Sequence, residues 1–109
     1  RGTTFDDGHG RGSYAIDASR GGELVAENNV FVQANDAENY SIINYDLTRG
    51  GSADGVLIRG NKVVNRFRGG NFLRNDTKRA PVMSANMIEN LGGAPLNLVN
   101  PGSPKPLDN

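Results

Sequence analysis

Six polar residues recur at matching places in three short segments, and their types suit chemistry best. When SYAIDAS (13–19), YSIINYD (40–46) and GNFLRND (70–76) are aligned, Asp17, Asn44 and Arg74 form one column. Ser19, Asp46 and Asp76 form the next. If each segment is a strand, alternate side chains share a face, so both columns project from the same side of a sheet. Rows of carboxylates, amides and a guanidinium at regular spacing suit hydrogen bonding to sugar hydroxyls and carboxylates. A solvated sheet face has the same composition, because outward positions must be polar in any case. These six are the candidate substrate-binding residues, and no catalytic residue is assigned.

Two smaller clusters carry chemical potential. Asp6 and Asp7 beside His9 have the types needed to hold a hard cation or exchange protons, although adjacent acids in a glycine-rich loop are commonly just solvated. His9 is the only histidine, which excludes a multi-histidine zinc site within one chain. GHGRG (8–12) lacks the Lys-Ser/Thr of a phosphate loop and precedes no helical pattern. Arg66 and Arg68 flank Phe67, and with Arg59, Lys62 and Arg74 they suit pairing with uronate carboxylates. Glu23, Asp54 and Asp76 offer the alternative of a neutral, salt-linked surface. Asn39-Tyr40-Ser41 and Asn75-Asp76-Thr77 match the N-glycosylation sequon, which matters in a eukaryotic secretory context.

The elements that position these residues repeat. Ile16, Ile43 and Leu73 share the first-strand column, with Leu96 of APLNL (94–98) as a degenerate fourth member. Second strands LVAENN (24–29), VLIRGN (56–61) and PVMSAN (81–86) stack Asn29, Asn61 and Asn86. Third strands VFVQ (30–33), KVVN (62–65) and MIEN (87–90) stack Phe31, Val63 and Ile88. Units of 25–32 residues that cannot bury an apolar face alone imply stacking. No helical stripe is sustained. Short alternating strands therefore predict an all-β, parallel β-helix of about three to four rungs, or a truncated solenoid, with asparagines laddered at a turn. A β-sandwich is the rival, but it does not require homologous columns. The expected core is Tyr14, Ile16, Leu24, Ala26, Phe31, Ile43, Tyr45, Val56, Ile58, Val63, Leu73, Met83 and Ile88. Residues 1–12 read as a loop or the remnant of a preceding coil, 13–99 as rungs, and 100–109 as a proline-rich tail, extended and peripheral.

Composition bounds the partners. Lys and Arg number 12, Asp and Glu 12, so no net charge pulls the chain towards nucleic acid or an anionic membrane. No apolar run approaches the roughly 20 residues of a membrane-spanning helix. With no cysteine there is neither a disulfide framework nor a thiolate site. Glycine (15) and asparagine (14) make up more than a quarter of the chain, and both favour tight turns. The first residue is Arg and no leader pattern precedes the repeats, so the chain reads as a processed or excised piece of a longer one.

SYAID followed by GGELVAENNVFVQ resembles right-handed parallel β-helix proteins of the pectate-lyase-like superfamily. LIRGNKVVNRFRGGNFLRN (57–75) resembles one of their later coils, with Lys62 where Thr is usual, and APVMSANMIENLGG (80–93) resembles a last coil. The likeness covers about residues 12–93 and concerns coil architecture. It implies the carboxy-terminal coils of a protein acting on acidic polysaccharide, and an extracellular or periplasmic location. Calcium enters by resemblance alone; no cofactor is evident from the residues. The Asp cluster and basic catalytic residue of the lyase type have no copy here. The resemblance thus implies a carbohydrate-active or carbohydrate-binding module not catalytic alone. The alternative is a structural module that self-associates through its open rung edges.

Overall fold

The computed structural model describes residues 2, 4–6, 15–36 and 40–108. The Asp7/His9 cluster, Tyr14 and Asn39 lie outside them. Among the described residues the chain is all strand, with no helix. In order the strands are β1 (Thr4–Asp6), β2 (Ile16–Ala18), β3 (Gly21–Glu27), β4 (Val30–Gln33), β5 (Ser41–Tyr45), β6 (Ser52–Arg59), β7 (Lys62–Asn65), β8 (Asn71–Asn75), β9 (Val82–Ser84), β10 (Met87–Asn90) and β11 (Asn97–Val99).

Each repeat places one strand in each of three sheets, and equivalent strands pair in parallel. The first sheet runs β11-β8-β5-β2, the second β3-β6-β9 and the third β1-β4-β7-β10. This arrangement is compatible with a parallel β-helix. The third strands have the bounds expected from sequence, and Phe31, Val63 and Ile88 stack as read. Ile16, Ile43 and Leu73 also share a column, but its fourth member is Val99 rather than Leu96. Leu96 precedes β11 at a corner, where its N–H donates to Asn90 Oδ1 at 2.8 Å. The second strands begin earlier than expected: Gly21 and Gly22 pair with Ser52 and Ala53, and Asp54 is then skipped as a bulge. β1, in the segment read as loop or coil remnant, pairs with β4 and adds a further position to the third sheet.

The interior follows the apolar columns. Ala26, Phe31, Ile43, Tyr45, Val56, Ile58, Val63, Leu73 and Met83 form one buried cluster, with Ile16, Leu24 and Ile88 packed against it. Full burial of such a side chain contributes about 1.5–3 kcal/mol. Ile42 and Phe72 join the cluster although strict alternation points them outwards, and Phe72 meets Phe31 edge-on at 5.5 Å. The Tyr45 ring is buried, and its hydroxyl donates to the carbonyl of Gly22.

Where the chain leaves one sheet for the next, amide side chains link the rungs. Between the second and third sheets, Asn61 Oδ1 accepts from the Asn29 N–H at 2.8 Å, and Asn86 Oδ1 accepts from the Asn61 N–H and Nδ2, both at 3.0 Å. The residue before each asparagine has a left-handed backbone: φ is 57° at Asn28, 69° at Gly60 and 54° at Ala85. A second column, Gln33, Asn65 and Asn90, marks the exit from the third sheet, with Asn65 Nδ2 donating to Asn90 Oδ1 at 3.3 Å and to Gly69 C=O at 3.1 Å. At the exit from the first sheet, Asn100 Oδ1 accepts from the Asn75 N–H at 2.7 Å. Burial of these amides is tolerable because they are bonded; among the described residues no buried side-chain nitrogen or oxygen lacks a partner.

Candidate functional site

The first sheet presents the expected row. Asp17 pairs with Asn44 and Asn44 with Arg74, so the three lie across consecutive strands about 4.8 Å apart. Their side chains bond to one another. Asn44 Nδ2 donates to Asp17 Oδ1 at 3.0 Å and to Asp46 Oδ2 at 2.9 Å, and Arg74 Nη1 donates to Asn44 Oδ1 at 2.7 Å. Ser19 Oγ donates to Asp17 Oδ1 at 2.6 Å. Arg74 also reaches Asp46 Oδ2 at 3.3 Å and Asp76 Oδ2 at 3.7 Å. All six expected residues therefore join one network.

The network divides into a buried centre and accessible ends. Asn44 is 3 % and Asp46 4 % exposed, so neither offers a free hydrogen-bonding group to a ligand. Asp17 and Asp76 are exposed, and the Arg74 side chain is 37 % exposed. Asp46 and Asn44 thus act as a base that orients Arg74 and Asp17. Beside Asp17 the surface sinks into a recess of about 320 Å³ lined by Asp17, Ala18, Ser19, Arg20, Gly21 and Arg49. Its floor is stitched by the Arg49 N–H donating to Ser19 C=O at 3.0 Å. Gly51 passes so close to Arg20 that a Cβ there would lie 2.0 Å from the Arg20 carbonyl oxygen.

The electrostatics favour fixed charges over proton exchange. Donation from Ser19 and then Asn44 holds the Asp17 carboxyl below the ordinary aspartate value. For Asp46 burial is the largest influence and pushes the pKa up. Bonds from Asn44 and from the Thr48 N–H and hydroxyl, with the Arg74 charge, outweigh it, and the net direction is down. Both groups are carboxylates at neutral pH and poor proton acceptors there, unlike a base tuned towards 7.

A calcium ion does not fit this set. Arg74 already sits against Asp46 and Asp76, and the Asp46 oxygens accept from Thr48, Asn44 and Arg74. Among the described residues no group of three or more His, Cys, Asp or Glu is placed to hold a metal ion.

The basic cluster read around Phe67 is dispersed. Arg59 lies on the second sheet and pairs with Glu27, Lys62 lies on the third, and Arg74 on the first. Phe67 is 2 % exposed; Arg68 caps its ring at 4.5 Å, and Tyr40 meets it edge-on at 5.8 Å. The Asn75 sequon is unusable in the folded chain, since Asn75 is 1 % exposed and its Nδ2 donates to Arg79 C=O and Ser103 Oγ.

Thr48, Arg20 and Arg49 are site residues that the column alignment missed. An Asp-x-Thr spacing, which lets a carboxylate accept from the N–H and hydroxyl two residues on, was a usable signal for Thr48. Arg20 and Arg49 carried none, because loop stacking alone brings them together. Comparison with known proteins finds no matching family model, no similar curated protein and no similar solved structure.

Proposed function

We propose that this chain is a right-handed parallel β-helix module of the pectate-lyase-like type that binds an acidic polysaccharide along its first sheet without cleaving it. The observation that carries this reading is the recess at Asp17, Ser19, Arg20 and Arg49, continuous with a pre-oriented row ending in Arg74. Guanidinium groups pair with carboxylates in two parallel bonds, and rigidly held partners lose little freedom on binding. Arg20, Arg49 and Arg74 would take uronate carboxylates, while Asp17 and Ser19 accept from sugar hydroxyls. The resemblance of residues 12–93 to polysaccharide-acting coils supports the same substrate class. Two carboxylates held ionised and bonded suit positioning of a ligand better than proton exchange with it.

Calorimetric titration with a polyuronate, a sulfated glycan and a neutral glycan tests the proposal. The expected result is salt-sensitive binding of the polyuronate, weakened by Arg49→Ala and by Arg20→Ala in a chain that still folds. Failure of every glycan to bind at millimolar concentration, or equal affinity in the variants, would overturn it.

A further inference from the structure

The outward face of the second sheet carries an apolar row where a solvated face would be polar. Leu24, Ala26, Val56, Ile58 and Met83 pack into the core, so Val25, Leu57 and Val82 between them point out. Val25 lies beside Leu57 and Leu57 beside Val82, and Leu107 extends the row through its bridge to Val82. Val25 is 47 % and Leu107 56 % exposed. Next to this row the surface dips into a trough of about 390 Å³ over Gly55 and Ala80. A Cβ built on Gly55 would meet nothing within 4 Å, so the trough is open above it. Glu23 and Arg79 stand on opposite sides of β6. Glu23 sits across from Gly55 on β3, and Arg79, just ahead of β9, donates from Nε to Ala53 C=O at 2.9 Å. Both side chains are exposed, and among the described residues neither forms an ion pair. Rows of exposed aliphatic side chains edged by unpaired charges mark surfaces that bind another protein.

We infer that this face is the contact between two copies of the chain, related by a two-fold axis running along β6 in the plane between them. Turning the sheet about that axis lays β3 of one copy over β9 of the other with strands aligned, an arrangement that packed sheets favour. Glu23 of each copy then meets Arg79 of the other, so the charges left unpaired in one chain are satisfied twice over. Val25 meets Val82, and Leu57 meets its own copy on the axis. Gly55 also falls on the axis, where the missing side chain leaves room for close approach. Arg59 would face its own copy there as well, and its guanidinium is instead turned aside onto Glu27. The charge order favours a second copy over a small apolar acid, which would use Arg79 and leave Glu23 opposed to it. Such a contact closes at two molecules. A face three strands wide is small for an interface, so the dimer is a weak one.

Sedimentation velocity from about 10 μM to about 1 mM tests this, with circular dichroism confirming the fold of each variant. The unaltered chain should rise from the monomer mass towards twice that mass and go no further. Leu57→Lys sets like charges against each other on the axis and should leave monomer alone. Glu23→Arg and Arg79→Glu should each weaken dimerisation at least about tenfold, and the two together should restore it. Restoration separates a pair across the contact from a general change in charge or solubility. If Leu57→Lys does not fold, the exposed charge reversals decide alone. A monomer at every concentration, growth past twice the monomer mass, or reversals that fail to rescue one another would overturn the inference.

Discussion

Asn61→Ala removes the middle member of an amide ladder and has a cost that can be worked from the bonds it breaks. Asn61 is 1 % exposed. Its Oδ1 accepts from the Asn29 N–H at 2.8 Å, and its Nδ2 donates to Ala26 C=O at 2.9 Å and to Asn86 Oδ1 at 3.0 Å. Asn86 Oδ1 keeps the Asn61 N–H as a donor in the variant, so the principal losses fall on the Asn29 N–H and the Ala26 carbonyl. A buried polar group left without its partner costs about 1–3 kcal/mol, which puts the sum at about 2–6 kcal/mol. That is a large share of the roughly 5–15 kcal/mol available to a domain. At about 4–8 °C per kcal/mol for a small domain, melting should fall by at least about 8 °C. Urea and thermal unfolding followed by circular dichroism give the number, with exposed Asn35→Ala as the comparison, expected within about 0.5 kcal/mol of the parent. A loss at Asn61 under about 1 kcal/mol, or one no larger than at Asn35, would refute the structural role given to the ladders.

Three further outcomes follow from backbone and charge. Ala85 holds φ at 54° in the column occupied elsewhere by Asn28 and Gly60, so Ala85→Gly should raise stability by about 0.5–1 kcal/mol in thermal unfolding; a fall would count against the left-handed corner. Gly51 has φ of 86° and lies against the Arg20 carbonyl, so Gly51→Ala should cost more than about 2 kcal/mol, whereas Gly50→Ala, with a similar φ of 92° but open space, should cost less. Asp17 and Asp46 have folded-state pKa values below the ordinary 3.8. Their contribution is complete above that value and lost as pH falls through the lower folded-state values. Asp46→Asn sets an amide NH2 or carbonyl where Asn44, Thr48 and Arg74 all donate, so it should be less stable at neutral pH and lose less on acidification. Parallel curves for parent and variant between neutral pH and about pH 2 would contradict that assignment.

How far the chain could be read from its letters depends on whether a feature repeats its residue type. The Asn29, Asn61 and Asn86 corner was legible because one amino acid recurs, as were Phe31/Val63/Ile88 and Ile16/Ile43/Leu73, where apolar character recurs. The corner of Gln33, Asn65 and Asn90 uses two different amides and was missed, although their chemistry is the same. Leu96 looked like a column member because it is apolar, yet the backbone bond to Asn90 places it one corner earlier. Polarity placed Asn44 and Asp46 outwards, but whether an outward residue is open or roofed depends on its neighbours on adjacent strands, and here Arg74 lies over both. Arg20 and Arg49 sit 29 positions apart in loops and meet through the stacking of the repeats.

Binding of an acidic glycan at the Asp17–Arg49 recess is tested most directly by amide chemical-shift mapping of the labelled chain titrated with an oligouronate. The account predicts saturable shifts concentrated at Ser19, Arg20, Arg49 and Arg74, reduced by salt and absent with a neutral oligosaccharide of the same length. No shifts at millimolar ligand, or shifts centred on Tyr40 and Phe67 or on the second sheet, would contradict it.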